Sequence, residues 1–300
     1  MRIKNDTIYA LIDLIDDPDL EVYDSVCDQL INYGSMALPE LKNCLLSQDL
    51  TIKGVERIQE VIDHIEFTTI QDEFKTWLEG TEKDLLTAIG IISKCQFPDM
   101  DNKHLKDTLY LLRKDIWLEI SQKQTSFESI KVFNRIFFDY YGFRVNPGTS
   151  NAPFNYFPQM ILEDRVGSEL GVGLIYSIVA QSLNLPVYGV VFPWNRFYLA
   201  HIDQHHILNQ IQPDTNTDGV LFYLNMSNNG SFMDKSMLVE ELNREQLPLR
   251  KSYFEPSSNT DIIRNFLQQL ILTYHQWNNQ GHKAVKLEYL LQLIERNNQN

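Results

Sequence analysis

The sequence predicts an α+β protein that is predominantly helical and carries one small antiparallel sheet. Apolar residues recur at helical spacing from residue 8 to about residue 141 and again over 261–296. Between these regions, residues 186–225 contain short runs rich in β-branched and aromatic residues, bounded by turn-forming residues, which is typical of strands. A chain of 300 residues is long enough for about two domains.

The charge of the chain limits the partners it can bind. It has 40 Asp and Glu against 26 Lys and Arg, which gives a formal net charge of −14. Such a field repels phosphate backbones and anionic lipids, and no local basic cluster offsets it. We therefore expect neither a nucleic-acid partner nor a membrane partner. The uncharged stretch 170–195 contains Pro186, and it is interpreted as a buried helix followed by a buried strand.

The three cysteines, an odd number, have no spacing typical of a zinc site or a disulfide framework. The N-terminus becomes acidic where a signal peptide would be apolar. These observations predict a cytoplasmic protein with no cofactor and no metal. Each cysteine precedes the central helix within apolar surroundings and is interpreted as a small buried hydrophobe.

Residues 1–80 are predicted to form paired helices. Asp17 and Pro18 suit the N-cap and first position of a helix that Gly34 ends. Further helices are predicted over 39–46, 50–67 and 71–78. The apolar helix, the DDPD turn and the LPELKNCLL segment resemble HEAT-type repeats, in which each helix pair must stack on a neighbour to bury its apolar face.

The remaining elements follow from periodicity and turn residues. Helices are predicted over 82–95, 102–122, 127–141, 159–164, 169–183 and 235–243. Strands are predicted over 186–193, 196–203, 206–212 and 220–225. A helical hairpin over 261–277 and 282–296 spans about one 34-residue tetratricopeptide unit.

Several segments carry a family resemblance. In order they are LLTAIGIISKCQFPDMD, FNRIFFDYYGFRVN, MILEDRVGSELGVGLIYSIVAQSLNLPVYGVVFP, NRFYLAH and VLFYLNMSNNGSF, followed by the terminal hairpin. This series resembles the bacterial SirB-type transglutaminase-like family over about residues 82–296. The resemblance implies a papain-like core over 81–255 and a tetratricopeptide-like hairpin over 256–300, after the HEAT-like region 1–80.

The resemblance also implies where a catalytic triad would lie. The family places a Cys at the start of the buried helix, two residues after a Gly, which here corresponds to Glu169. The His position corresponds to Arg196 and the orienting acid to Asn225. No catalytic residue is therefore expected at these degenerate positions. Ser168 could be an alternative nucleophile, but it is better interpreted as a helix N-cap.

Two further hypotheses concern charged or metal-binding groups. Glu169 and Arg196 could form an ion pair where Cys and His would stand, unless one side chain points to solvent or the register is shifted by one residue. His201, His205 and His206 could bind a metal with Asp203, or could simply form a solvated hairpin end. His201 lies five residues after Arg196, so it faces the opposite side of the strand.

The sequence therefore predicts a non-catalytic transglutaminase-like protein that acts as a protein-interaction module for a protein or peptide partner. The alternative is a hydrolase or transferase of the same class that uses other cleft residues or a metal at the His cluster. The accessibility of the predicted cleft distinguishes the interaction module from the enzyme. An accessible cleft with a free Glu169 of raised pKa would favour an enzyme. A cleft closed by Arg196 and the 144–158 loop would favour a scaffold.

Overall fold

The computed structural model describes residues 2–46, 51–99, 102–121, 123–146, 152–203, 219–277 and 281–297. The chain divides into two compact units, Met1–Glu79 and Gly80–Asn300. Within the described residues, helices predominate and one small sheet is antiparallel, so the predicted fold class is confirmed. No helix in these ranges combines the length and the apolar character that a membrane span needs.

The first unit is built from four helices around an aliphatic core. They are α1 (Arg2–Asp13), α2 (Leu20–Tyr33), α3 (Leu38–Leu46) and α4 (Ile52–Glu79). A buried cation, Arg57 of α4, donates hydrogen bonds to the carbonyls of Ile15 and Asp17 at 2.9 and 2.8 Å. Arg57 therefore satisfies carbonyl groups just beyond the end of α1. The HEAT-like description of this region stays a prediction.

Two local predictions in this unit are corrected. The second helix begins at Leu20, and its N-cap is Asp19 instead of Asp17. The helices predicted over 50–67 and 71–78 are one continuous helix, α4. Thr68 and Thr69 at the expected break donate hydrogen bonds to carbonyls four residues back, and no Gly or Pro interrupts the ladder there.

The second unit contains the remaining described helices. These are α5 (Leu85–Ser93), α6 (Asn102–Glu119), α7 (Ser126–Asn134), α8 (Pro158–Asp164), α9 (Glu169–Ser182), α10 (Lys235–Arg244), α11 (Asn259–Gln276) and α12 (Gly281–Asn297). A π-helix, Arg135–Tyr140, follows α7 directly where one longer α-helix was predicted. The tetratricopeptide-like description of α11 and α12 stays a prediction.

The strands form two sheets. A parallel pair joins β1 (Arg144–Val145) to β2 (Val166–Gly167). The antiparallel sheet contains β3 (Val187–Phe192), β4 (Arg196–Ile202), β5 (Val220–Asn225) and β6 (Ser231–Met233) in that order. The predicted strands over 186–193, 196–203 and 220–225 are confirmed, whereas the one over 206–212 lies outside the described residues. The short strands β1, β2 and β6 were not predicted, because two or three residues carry no periodic signal.

Helices cover both faces of the antiparallel sheet. On one face, α9 approaches so closely that a Cβ atom at Gly173 would lie 2.7 Å from the Phe197 ring. A Cβ atom at Gly189 of β3 would lie 2.4 Å from the same ring. On the other face, Tyr198 and Ala200 belong to a core cluster that includes residues of α10. Alternate residues of β4 therefore face α9 and α10.

Candidate functional site

The N-terminus of α9 is held by local backbone and side-chain contacts. Ser168 is the N-cap, and its Oγ accepts a hydrogen bond from the Gly171 N–H at 3.0 Å. The Ser168 N–H donates to the Asn155 carbonyl at 2.7 Å. A Cβ atom at Gly167 or Gly171 would lie about 2.5 Å from the Ile161 side chain, so a larger residue at either position would displace Ile161. The interpretation of Ser168 as an N-cap is confirmed.

Glu169 is the first residue of α9, and both of its carboxylate oxygens accept hydrogen bonds. The Phe197 N–H donates to Oε1 at 3.2 Å, and the Ser227 hydroxyl donates to Oε2 at 3.0 Å. Burial raises the pKa of Glu169 above its ordinary value, and these two hydrogen bonds oppose that rise. Glu169 therefore joins α9 to β4 and to the turn after β5.

The predicted ion pair between Glu169 and Arg196 is wrong. The Arg196 guanidinium instead contacts Glu241 of α10, with Nη2 and Nε at 3.0 and 3.2 Å from Oε1. The Tyr198 hydroxyl donates to the other oxygen of Glu241 at 2.6 Å. The physical reason is strand alternation: Arg196 and Tyr198 face α10, whereas Phe197 between them faces α9.

Asn225 lies on the same side of the sheet as Arg196. It pairs with Tyr198 across β4 and β5, and directly paired residues share a face. Its Oδ1 atom is buried and has no hydrogen-bond partner among the described residues. The structure therefore does not bring Glu169, Arg196 and Asn225 together.

Ser227 is the residue that sequence reasoning missed. It lies two residues after Asn225 in a 3₁₀ turn, Met226–Asn228, and its hydroxyl is the group from this loop that contacts Glu169. The SNNG motif after β5 was a signal that a tight turn lies here. It did not indicate that the turn reaches the N-terminus of α9, because that contact joins residues 58 positions apart.

A polar cleft of about 460 Å³ opens at the N-terminus of α9. Its described lining includes neither Cys nor His. It consists mainly of amide and hydroxyl side chains around one carboxylate, among them Asn146, Asn155, Ser168, Glu169, Asn195, Ser227, Gln269 and Thr273. Arg196 does not line the cleft, and Asn155 and Tyr156 of the 144–158 loop form part of its wall. The cleft is therefore open, and its carboxylate is already hydrogen-bonded.

None of the three cysteines is among the residues that line the described cleft. Cys95 follows α5, and burial raises the pKa of its thiol to about 12. Burial also raises the pKa of Cys27 in the first unit. A thiol with a raised pKa is a weak nucleophile near neutral pH, because the reactive species is the thiolate.

His201 is buried on the α9 side of β4 and is 2% exposed. Its Nδ1 lies 3.1 Å from the Ile202 carbonyl, so this nitrogen carries the proton. Burial lowers the pKa of His201, and Nε2 has no hydrogen-bond partner among the described residues. His205 and His206 lie outside those residues. In the part of the chain that is described, no group of three or more His, Cys, Asp or Glu side chains could hold a metal ion.

The part of the chain that contains α9 and the antiparallel sheet matches a known protein family. Residues 103–268, more than half of the chain, match the transglutaminase-like superfamily, and the chain belongs to this superfamily. The transglutaminase-like part of the predicted resemblance is thereby confirmed.

Two curated proteins are similar in sequence to part of this chain. They are the UPF0162 protein YchA of Escherichia coli strain K12 and its counterpart in Escherichia coli O157:H7. Each is 26% identical over 189 residues, which cover 60% of this chain. The matched stretch spans 64% of the length of these relatives. No solved structure matches the chain.

Proposed function

We propose that the protein is a non-catalytic member of the transglutaminase-like superfamily that binds a protein or peptide partner. One observation carries the first half of this proposal. The first residue of α9, where the resemblance expects a nucleophilic Cys, is Glu169, and both of its carboxylate oxygens accept hydrogen bonds from the protein. Acyl transfer by the thiol route has no nucleophile at this position.

The base position supports the same conclusion. A His that activates a nucleophile on α9 must lie on the α9 face of β4 beside the helix N-terminus. His201 is on that face but is not among the residues that line the described cleft. The β4 residue that contacts Glu169 through its backbone is Phe197, whose side chain is fully buried. Arg196 is on the other face and is paired with Glu241. The site therefore offers a carboxylate and an aromatic ring in place of a thiol and an imidazole.

The binding half of the proposal rests on architecture. Helical repeats of the kind that the sequence predicts before and after the sheet commonly present surfaces to protein partners. This step is an analogy from fold, and the activity must be established at a site. The strongly negative net charge of −14 favours partners with basic surfaces.

A hydrolase that uses Glu169 as a general acid or base is the second candidate. The observation in its favour is that Glu169 lines an open cleft and has a raised pKa. The described cleft lining argues against it, because it holds neither a second carboxylate nor an imidazole to share the acid and base roles with Glu169.

Turnover assays distinguish the two candidates. The wild type, Glu169→Gln and Cys95→Ser are incubated with a panel of amide and ester substrates across the acidic to neutral pH range. We expect no turnover above the protein-free rate in any of them. Turnover that Glu169→Gln abolishes would establish the hydrolase, and turnover that Cys95→Ser abolishes would establish a thiol enzyme.

Partner binding is tested with the full-length chain. A tagged chain is used to capture proteins from the organism that produces it, and each candidate is then purified and titrated against the untagged chain by calorimetry. We expect saturable binding that weakens as salt is added, because the chain is acidic. If no purified candidate binds, the binding half of the proposal is wrong.

A further inference from the structure

Helix α6 has two apolar faces, and only one of them is packed. The inner face is buried in the second unit and consists of Leu105, Leu109, Leu112 and Ile116, none more than 7% exposed. The outer face carries Tyr110, Leu111, Trp117 and Leu118, which are 58, 54, 63 and 62% exposed. At 100° per residue these four side chains fall within an arc of about 120°, which also contains the exposed Asp107 and Lys114. Large apolar side chains clustered in this way mark an interaction site more often than they mark ordinary surface.

A groove of about 600 Å³ continues this outer face. It lies between the C-terminal half of α6 and the π-helix Arg135–Tyr140. Leu118 and Ile136 contribute apolar lining, and Tyr140, which is 77% exposed, stands at its edge. Trp and Tyr are the residue types that most often dominate binding energy in protein interfaces, because they bury large areas with few rotatable bonds.

The π-helix explains how an exposed Tyr comes to lie beside this groove. The Tyr141 N–H donates to the Ile136 carbonyl five residues earlier, which widens the turn. Ile136, Phe137 and Phe138 are buried within this segment, whereas Asp139 and Tyr140 are turned to solvent. The two exposed residues are therefore presented together at one edge.

The rim of the groove is acidic. Three carboxylates line it, those of Asp115, Glu119 and Asp139, against the single guanidinium of Arg135. Arg135 is already paired with Glu119 at 3.1 Å. Asp115 accepts a hydrogen bond from the Tyr141 hydroxyl at 2.6 Å. Helix α6 as a whole carries four Lys and Arg against three Asp and Glu, and the exposed Lys114 lies on its outer face, so the net negative charge is confined to the groove.

We propose that the outer face of α6 and this groove, together the α6 surface, bind an amphipathic basic helix of a protein partner. The apolar face of such a helix would cover Trp117, Leu118 and Tyr140, and its Lys or Arg side chains would meet the acidic rim. A second copy of the chain is a poorer occupant, because its net charge of −14 opposes self-association. The proposal rests on the proposed function and names the surface that performs it.

The test uses a fluorescent Leu/Lys peptide of about 15 residues with Leu at helical i, i+3, i+4 and i+7 spacing. Two control peptides are a scrambled sequence of equal composition and a Leu/Glu version. The full-length wild type is compared with Trp117→Ser, Tyr140→Ser and their combination by fluorescence anisotropy. Trp194→Ser is the matched control, since Trp194 is 70% exposed and lies outside the α6 surface.

We expect only the Leu/Lys helix to bind the wild type, and the combined variant to bind it at least about tenfold more weakly. Trp194→Ser should bind as the wild type does. Asp139→Lys should weaken the Leu/Lys helix and improve the Leu/Glu helix. Equal binding of the scrambled peptide, or full binding by the combined variant, overturns the proposal. Circular dichroism checks that every variant is folded.

Two further measurements separate this proposal from others. Light scattering that shows a wild-type dimer and a monomeric Trp117→Ser variant would assign the α6 surface to a second copy. A natural partner that binds the combined variant as well as the wild type would overturn the α6 surface and leave the proposed function intact. Failure to find any natural partner, with normal binding of the Leu/Lys helix, would count against the proposed function alone.

Discussion

The N-terminus of α9 and the outer face of α6 lie in the same compact unit, but their side chains have opposite environments. Those at α9 contact other parts of the protein, whereas those at α6 are exposed to solvent. At α9, Glu169 has internal partners for both oxygens, and Phe197 is enclosed by α9 and β3. At α6, Trp117 and Leu118 are more than half exposed. The difference teaches that the position where the family resemblance expects chemistry is occupied by structural contacts. Of these two regions, the one whose large apolar side chains stay mostly exposed is the outer face of α6.

Among substitutions in the two regions, Phe197→Ala is expected to cause the largest loss of stability. The ring is fully buried between Gly173 and Gly189, and its removal leaves a cavity that neighbouring atoms cannot fill. The loss in free energy of unfolding should be about 3–5 kcal/mol. Urea denaturation measures it. Trp117→Ala is the matched control at α6 and should change stability by no more than about 0.5 kcal/mol. Equal losses in free energy of unfolding for Phe197→Ala and Trp117→Ala would contradict the difference between the two regions.

Glu169→Ala should cost less, about 1 kcal/mol, near the lower end for lost hydrogen bonds. The Phe197 N–H and the Ser227 hydroxyl lose their acceptor, but water in the open cleft can replace part of it. Glu169→Gln keeps one acceptor oxygen and serves as the control. A rise in stability for Glu169→Ala would show that the carboxylate does not tie α9 to β4.

Arg196→Ala should lower the free energy of unfolding by about 0.2–1 kcal/mol, because its side chain is 41% exposed and solvent weakens the pair. A double-mutant cycle locates the partner. Coupling should be measurable between Arg196 and Glu241 and smaller between Arg196 and Glu169. The reverse order would restore the ion pair that the geometry rejects.

The pH dependence of Glu169→Gln should be the smallest and most specific signal. The folded-state pKa of Glu169 is raised above its ordinary value of 4.5, mainly by burial. Because the folded state binds this proton more tightly than the unfolded state does, protonation of Glu169 stabilises the fold. This stabilisation is complete below the ordinary pKa and is lost as pH rises through the raised pKa. Wild type should therefore lose stability relative to Glu169→Gln as pH increases from 4.5, and a difference independent of pH would contradict this.

Local signals in the sequence predicted much of the fold. Ser168 as an N-cap and Gly34 as a helix end each depend on one residue and its immediate neighbours, and both are confirmed. The strands β3, β4 and β5 were predicted from their β-branched and aromatic residues. The continuity of α4 was not predicted, although the hydroxyls of Thr68 and Thr69 bond back to the helix across the expected break.

The site was less predictable because it depends on strand register and on distant partners. Moving along β4 by one residue exchanges the α9 face for the α10 face, so Arg196 and Phe197 have opposite environments. The contact between Arg196 and Glu241 joins residues 45 positions apart, and no local pattern indicates it. Family correspondence placed Arg196 near Glu169, and its charge does act to lower the pKa of Glu169, but the guanidinium pairs with Glu241.

The enclosed ring of Phe197 also limits how this protein could be converted into an enzyme. A designer who replaced Glu169 with Cys would still need an imidazole beside the N-terminus of α9. Arg196 is on the other face of the sheet, and His201, although on the α9 face, is not among the residues that line the described cleft. The available strand position is Phe197, whose ring fills the gap that Gly173 and Gly189 leave. Introducing a base there would empty the core that holds α9 against the sheet. Restoring the chemistry would therefore require repacking the helix and two strands together, not two point substitutions.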